Sequence, residues 1–125
     1  MSRKQISKET RLRVYNKYGG HCAYCGCELE LKDMQVDHLK SVYLSEYKGE
    51  QVDESFDNYM PACRSCNFYK STFDLETFRD RIQSIMLKEL KKNFSFKFLN
   101  RYGIVTVSEQ NPLQFYFERN GEFEE

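Results

Sequence analysis

The chain has 125 residues, a length that suits one domain with a modest hydrophobic core. Its formal net charge is zero, which argues against strong nucleic-acid binding through overall charge and leaves local basic patches as the alternative. No long apolar run follows the basic start of the chain. The sequence therefore predicts neither a signal peptide nor a membrane span, and we expect a cytoplasmic protein with no membrane partner.

A basic helix is the first predicted element. Ser7 is a suitable cap for a helix that extends to about Tyr18 and ends at Gly19 and Gly20. This N-terminal stretch contains six positively charged residues, namely Arg3, Lys4, Lys8, Arg11, Arg13 and Lys17. Clustered positive charge of this kind can contact phosphate groups, whereas its simpler interpretation is a solvated helix surface.

A strand pair, a loop and a short helix are predicted next. Weak alternation from Met34 to Leu39 indicates a strand, and residues 41–47 are expected to form its partner after a turn. The polar and acidic stretch 48–58 is typical of a loop. A short helix is predicted from Arg64 to Ser71.

The C-terminal part is predicted to contain two helices and a hairpin. Asp74 can cap a helix that extends to about Lys92, because apolar residues recur there at helical spacing and form a core stripe. An aromatic-rich short helix is expected at residues 94–102. Residues 104–108 and 113–119 are predicted as two strands around a proline-containing turn, which makes a β-hairpin.

Two Cys-x-x-Cys pairs predict a zinc site. An odd count of five cysteines without a signal peptide favours metal ligands over disulfides. The ligands would be Cys22, Cys25, Cys63 and Cys66, and four thiolates make the zinc structural. The alternatives are four reduced, buried cysteines or a redox pair. Cys27 remains as a spare thiol, and His21 is either a surrogate ligand or, as we expect, a surface residue.

Further polar residues lie between the two cysteine pairs and just after them. Asp37 and His38 end the predicted strand, Asn58 precedes the second pair, and Asn67 and Lys70 follow it. The ordered set of Cys-x-x-Cys-Gly, Asp-His, a central Asn and Cys-x-x-Cys-Asn resembles the HNH endonuclease family. That resemblance implies a ββα-metal core. With flanking helices and the C-terminal β-hairpin, the predicted fold class is α+β.

The resemblance also assigns roles. His38 would be the general base, because a neutral imidazole accepts a proton near pH 7. Asp37 and Asn67 would bind a catalytic Mg²⁺ or Mn²⁺ ion through oxygen atoms, although the family pattern expects His at the position of Asn67. Asn58 would be structural and hold the loop behind His38.

DNA is the partner that the resemblance implies, and the expected reaction is hydrolysis of phosphodiester bonds that leaves 5′-phosphate and 3′-hydroxyl ends. The candidate DNA contacts are Arg11, Arg13 and Lys70. We expect residues 1–92 to form the nuclease domain with its structural zinc, and residues 93–125 to form an extension packed on the same domain.

Two alternatives use the same cysteines without nuclease chemistry. One is a non-catalytic zinc-bound module that binds DNA or protein, which the zero net charge favours. The other is a redox or zinc-sensing protein that uses Cys27 as an extra thiol. The sequence leaves open the DNA target and whether the protein is a monomer or a homodimer.

Overall fold

The computed structural model describes residues 5–108, 110 and 112–121. Helices and one small two-stranded sheet make up this part of the chain, so the predicted α+β class is confirmed. By its contacts the chain forms two units. The first runs to Asp74 and includes the residues from Phe115 onward, and the second is Leu75–Gln114. The expected nuclease domain at 1–92 and packed extension at 93–125 stay a prediction.

The first helix is capped as predicted. Helix α1 spans Lys8–Asn16, and the Ser7 hydroxyl accepts a hydrogen bond from the backbone N–H of Thr10 at 3.1 Å. Gly19 and Gly20 follow with φ angles of 63° and 80°, a conformation that glycine adopts without strain. Their left-handed backbone turns the chain away from the helix axis.

The sheet consists of two short antiparallel strands. Strand β1 is Gln35–His38 and strand β2 is Tyr59–Ala62. Val36 lies opposite Pro61 and His38 lies opposite Tyr59. The strand predicted from residue 34 to 39 is confirmed, whereas no element was predicted for the residues of β2.

The expected partner strand at residues 41–47 is wrong. This segment forms helix α2, Val42–Tyr47. The Ser41 hydroxyl accepts the backbone N–H of Leu44 at 3.0 Å and so caps the helix start. The residues expected to pair with β1 therefore form a short helix of six residues.

A third helix follows β2 directly. Helix α3 spans Arg64–Lys70, as predicted, and Cys63 is its cap. The Cys63 sulfur accepts the backbone N–H of Cys66 at 3.3 Å. Apart from α2, which lies between the strands, the two strands and α3 have the order ββα.

The core of the first unit forms between α1 and the sheet. Val14, Met34 and Tyr59 are its buried centre. Lys17 is 4% exposed, and its ammonium donates to the backbone oxygens of Phe56, Asp57 and Tyr59 at 3.1, 3.3 and 2.9 Å. Three carbonyl oxygens replace the hydrogen bonds that water would make to the ammonium, which reduces the free-energy cost of burying its charge.

The second unit is helical. Helix α4 (Leu75–Asp80), a π-helical segment (Arg81–Met86) and helix α5 (Leu87–Lys92) follow one another without a break. Helix α6, Phe94–Arg101, begins after Asn93, whose side chain accepts the N–H of Phe96 at 3.0 Å. Both predicted helices of this region are confirmed, the longer one with a π-helical middle.

The predicted C-terminal β-hairpin is wrong. Residues 104–108 form no strand, and the backbone N–H of Leu113 donates to the Gln83 side chain at 2.8 Å. The carbonyl of Leu113 accepts a hydrogen bond from the Arg79 guanidinium. Because helix side chains satisfy these backbone groups, no opposing strand is needed. The turn residues Glu109 and Asn111 of the predicted hairpin lie outside the described residues.

The end of the described chain packs on the turn that follows α1. Helix α7, Tyr116–Arg119, replaces the second hairpin strand. The backbone N–H groups of Tyr116 and Phe117 donate to the carbonyls of Tyr24 and Ala23 at 2.9 and 2.8 Å. Phe115 meets the Tyr24 ring edge-on with ring centroids 5.7 Å apart. The aromatic residues that favoured a strand thus pack on the first turn.

No helix in residues 5–108 and 112–121 is long and apolar enough to cross a bilayer.

Gly26 should be the glycine most sensitive to substitution. Its φ is 82°, and an added Cβ would lie 2.6 Å from Cδ2 of Tyr116. Gly49 has a similar φ of 71° with nothing within 4 Å. We expect Gly49→Ala to lower the free energy of unfolding by about 1 kcal/mol through backbone strain, and Gly26→Ala by about 3 kcal/mol because the clash adds to it.

Urea denaturation of the two variants measures this difference. The double variant Gly26→Ala/Tyr116→Ala, compared with Tyr116→Ala alone, isolates the clash. Equal losses for Gly26→Ala and Gly49→Ala would show that α7 does not cover Gly26.

Candidate functional site

The two cysteine pairs lie on two tight turns that are tied to each other. The backbone N–H of Ala23 donates to the carbonyl of Pro61 at 2.8 Å, and the N–H of Cys63 points to the Cys22 sulfur at 3.4 Å. Within the first turn, the N–H of Cys22 donates to the carbonyl of Cys27 at 2.8 Å. Hydrogen bonds thus bring the second pair to the first through β2.

The four predicted zinc ligands meet at one point. The sulfurs of Cys22, Cys25, Cys63 and Cys66 all lie within 4.8 Å of one another. Those of Cys25 and Cys63 are 3.9 Å apart. Tetrahedral zinc with a Zn–S distance of about 2.3 Å places its sulfurs about 3.8 Å apart. Donor type, number and spacing therefore fit one zinc ion, while Cys27 is exposed and is not among the four.

Hydrogen bonding within the cysteine group favours the thiolate form of Cys22. A hydrogen bond from the Cys66 thiol lowers the pKa of Cys22 to about 4. The same hydrogen bond, together with burial, raises the pKa of Cys66 well above its usual value. One sulfur of the pair therefore gives up its proton readily, and thiolate is the form in which cysteine binds metals.

A cleft of about 450 Å³ holds the residues that the sequence singled out for catalysis. Asp37 and His38 enter it from the end of β1, and Asn67 enters it from α3. Tyr43 and Glu46 of α2 also line it. Asn67 is 30 positions from Asp37 and 29 from His38 in the chain, and these residues are brought together because α3 packs on β1.

Asp37 is buried and held by two donors. The Tyr24 hydroxyl donates to its Oδ2 at 2.5 Å, and the Lys70 ammonium lies 3.0 Å from the same oxygen. Burial and the neighbouring carboxylate raise the pKa of Tyr24 well above its usual value, so its hydroxyl stays a donor. In the described part of the chain both of these partners are on Oδ2, and Oδ1 of Asp37 accepts no hydrogen bond.

The candidate DNA contacts are differently placed. Lys70 is fully buried and also donates to the carbonyl of His38 at 3.1 Å, so its ammonium faces Asp37 rather than solvent. The Arg11 guanidinium donates to the carbonyls of Leu31 and Met34 at 2.8 and 2.6 Å. These two cations therefore have structural partners.

Arg13 is the exposed member of the three candidate DNA contacts. Its guanidinium lies 4.5 Å from the ring centroid of Phe56, a cation–π distance.

His38 has partners that sequence reasoning missed. Its Nε2 lies 2.8 Å from Oε1 of Glu54, and the Tyr59 hydroxyl donates to Oε2 of Glu54 at 3.0 Å. The Tyr59 ring meets the imidazole edge-on at 5.3 Å between centroids. Burial, and then the bond to Glu54, raises the pKa of Tyr59 and keeps its hydroxyl protonated. Glu54 lies in an acidic stretch that only predicted a loop, so no sequence signal distinguished it.

Asn58 links the segment that follows His38 to the segment that contains Glu54. It is 4% exposed, and its side-chain oxygen accepts the backbone N–H of Lys40 at 2.8 Å. Its amide group donates to the carbonyls of Lys40 and Asp53 at 3.2 and 2.9 Å. The residue after Asp53 is Glu54, so Asn58 ties the chain beyond His38 to the segment that carries its partner.

Residues 22–73 match the family model described as HNH endonuclease. This segment contains the cysteine group and every residue that lines the cleft, so the resemblance drawn from the sequence is confirmed there. The match indicates a nuclease or another DNA-related function. No curated protein and no solved structure matches the chain significantly.

One zinc per chain should be measurable in the purified protein. Because structural zinc contributes roughly 10–16 kcal/mol in small peptides, Cys63→Ser should lose the metal and unfold or aggregate. Cys27→Ser is the matched control and should keep both metal and fold, since its sulfur is outside the group. Elemental analysis and circular dichroism report both properties. A folded wild-type protein free of zinc would refute the assignment.

Removing the Lys70 ammonium should destabilise the protein strongly. Lys70→Met leaves the Asp37 carboxylate buried without its counter-ion, and breaking such a pair costs about 3 kcal/mol or more. Lys32→Met, at a side chain that is 77% exposed and paired with Glu30, should change stability by less than about 0.5 kcal/mol.

Urea unfolding measures both variants. Adding Asp37→Asn to Lys70→Met should recover part of the loss, because the uncompensated charge is then removed. Equal effects of Lys70→Met and Lys32→Met would contradict the buried ion pair.

Proposed function

We propose that the protein is a metal-dependent HNH endonuclease that hydrolyses phosphodiester bonds of DNA. The observation that carries this proposal is the presence of Asp37, His38 and Asn67 in one cleft within the segment that matches the family. These three side chains supply a base and two oxygen ligands, the groups that hydrolysis of a phosphodiester needs.

Two metal sites with different donors would serve different purposes. Zinc on the four cysteine sulfurs would be structural, because no coordination position is left for water. Asp37, through Oδ1, and Asn67, through its amide oxygen, would hold a Mg²⁺ or Mn²⁺ ion, since hard ions prefer oxygen. When bound, that ion would supply positive charge beside the scissile phosphate and the departing 3′-oxygen.

The side chains of the cleft account for the proton transfer. His38 would accept a proton from a water molecule as the water oxygen forms its bond to phosphorus. The bond between phosphorus and the 3′-oxygen breaks, and the departing oxygen takes a proton from solvent. The products would carry a 5′-phosphate and a 3′-hydroxyl. Lys70 and Tyr24 would hold the Asp37 carboxylate in place during this step.

DNA binding would rest on local positive charge. The zero net charge of the chain argues for modest affinity that falls steeply with salt. Arg13 is the candidate contact that is exposed on α1, whereas Arg11 and Lys70 would act through the fold.

His38→Ala should abolish cleavage while the zinc content and the fold remain. General-base catalysis contributes about 10²–10⁴-fold, so a loss of at least about 100-fold is expected. The readout is nicking and linearisation of plasmid DNA with added Mg²⁺ or Mn²⁺. His21→Ala removes the other histidine of the chain and serves as the control.

The two metal ions and the two variants together decide the proposal. Cleavage by the wild-type protein that His38→Ala retains at a similar rate would show that another group is the base. A wild-type protein that binds zinc but cleaves no DNA with either ion would instead indicate a non-catalytic binding module.

A further inference from the structure

We propose that Glu54 is a positioning residue that holds His38 in one tautomer and makes Nδ1 the atom that takes the proton from water. This inference rests on the proposed nuclease function and deepens it by naming a side chain that orients the base. The observations are the 2.8 Å contact between Nε2 of His38 and Oε1 of Glu54, and the position of His38 in the cleft.

The chemistry of the contact determines which nitrogen is free. An ionised carboxylate accepts hydrogen bonds and donates none, so the nitrogen facing Glu54 must carry the hydrogen. A neutral imidazole has one N–H and one lone pair, and the lone pair then belongs to Nδ1. In the opposite tautomer two lone-pair-bearing atoms would face each other at 2.8 Å, which is repulsive.

The carboxylate itself is held on both oxygens. Oε1 faces His38, and Oε2 accepts the Tyr59 hydroxyl at 3.0 Å. The side chains of His38 and Glu54 are only 12% and 30% exposed, so water competes weakly for their contact. Glu54 therefore has one orientation in which both of its oxygens are bonded.

The backbone on both sides of the pair is fixed as well. Asn58 bonds to Lys40, two residues beyond His38, and to the carbonyl of Asp53, which precedes Glu54. Strand pairing places Tyr59 directly opposite His38. The three groups of the network thus lie on segments that are tied to one another, as a positioning role requires.

Nitrogen-15 spectra of the histidine rings test the tautomer without any cleavage assay. Long-range proton–nitrogen correlations in ¹⁵N-histidine-labelled protein report which ring nitrogen carries the hydrogen. His38 should show hydrogen on Nε2 in the wild-type protein and a mixture of tautomers in Glu54→Ala. His21 is the internal reference, because its Nδ1 lies 3.1 Å from the carbonyl of Tyr18 and should carry the hydrogen in both proteins.

Cleavage rates test the consequence. Glu54→Ala and the nearly isosteric Glu54→Gln should lower kcat by about 10- to 100-fold, because the base is misoriented for part of the time, with KM changed less than about twofold. Glu50→Gln, an exposed acid on the same loop, is the matched control and should cleave as the wild type does. Tyr59→Phe removes only the hydroxyl that holds Glu54 and should lower kcat by less than Glu54→Ala does.

The outcomes separate this proposal from the one on which it rests. Hydrogen on Nδ1 of His38 in the wild-type protein, or an unchanged kcat in Glu54→Ala, would overturn the role of Glu54 while the nuclease function stands. Failure of the wild-type protein to cleave DNA would overturn the nuclease function, and with it the catalytic use of Nδ1.

Discussion

The meeting of four cysteine sulfurs is the constraint on which the first unit depends. Cys25 and Cys63 are 38 positions apart, yet their sulfurs are 3.9 Å from each other, so the chain between them is a closed loop. Both strands lie inside that loop, and α3 begins at its end. Because Cys63 caps α3, the sulfur group determines where the next turns of that helix point. Asn67 and Lys70, three positions apart on one helical face, are thereby directed at β1.

Two neighbouring residues of β1 receive support from opposite directions. Successive side chains of a strand leave on opposite faces, so Asp37 and His38 cannot share one set of partners. Asp37 is held from the cysteine side, by Tyr24 of the first turn and Lys70 of α3. His38 is held from the loop side, by Glu54 and Tyr59. Both nevertheless line the same cleft at the strand end. The separation would let the proposed metal ligand Asp37 and the proposed base His38 be positioned independently.

The residues of α7 complete the first turn. Tyr116 and Phe117 satisfy the carbonyls of Tyr24 and Ala23, residues that lie between the first two cysteines. Gly26 is necessary there because the Tyr116 ring occupies the space of any Cβ. Tyr24, in turn, donates to Asp37. A chain of direct contacts therefore connects the last described helix with the cleft.

Local signals in the sequence determined the starts of α1, α3, α4 and α6, the first strand, the cysteine group and the order of the site residues. Ser7 and the helical spacing after Asp74 act over a few residues, and paired cysteines carry their own chemistry, so no long-range information was needed. The partner of β1, the conformation of residues 41–47 and the path of the C-terminus were decided by tertiary structure. The aromatic content of residues 113–119 is compatible with a strand and with a packed helix, and in the structure Phe115 and Phe117 pack on Tyr24. The contact of Glu54 with His38 and the burial of Lys70 could not be predicted either. A loop acid and a helix lysine acquire such partners only when distant segments of the chain meet.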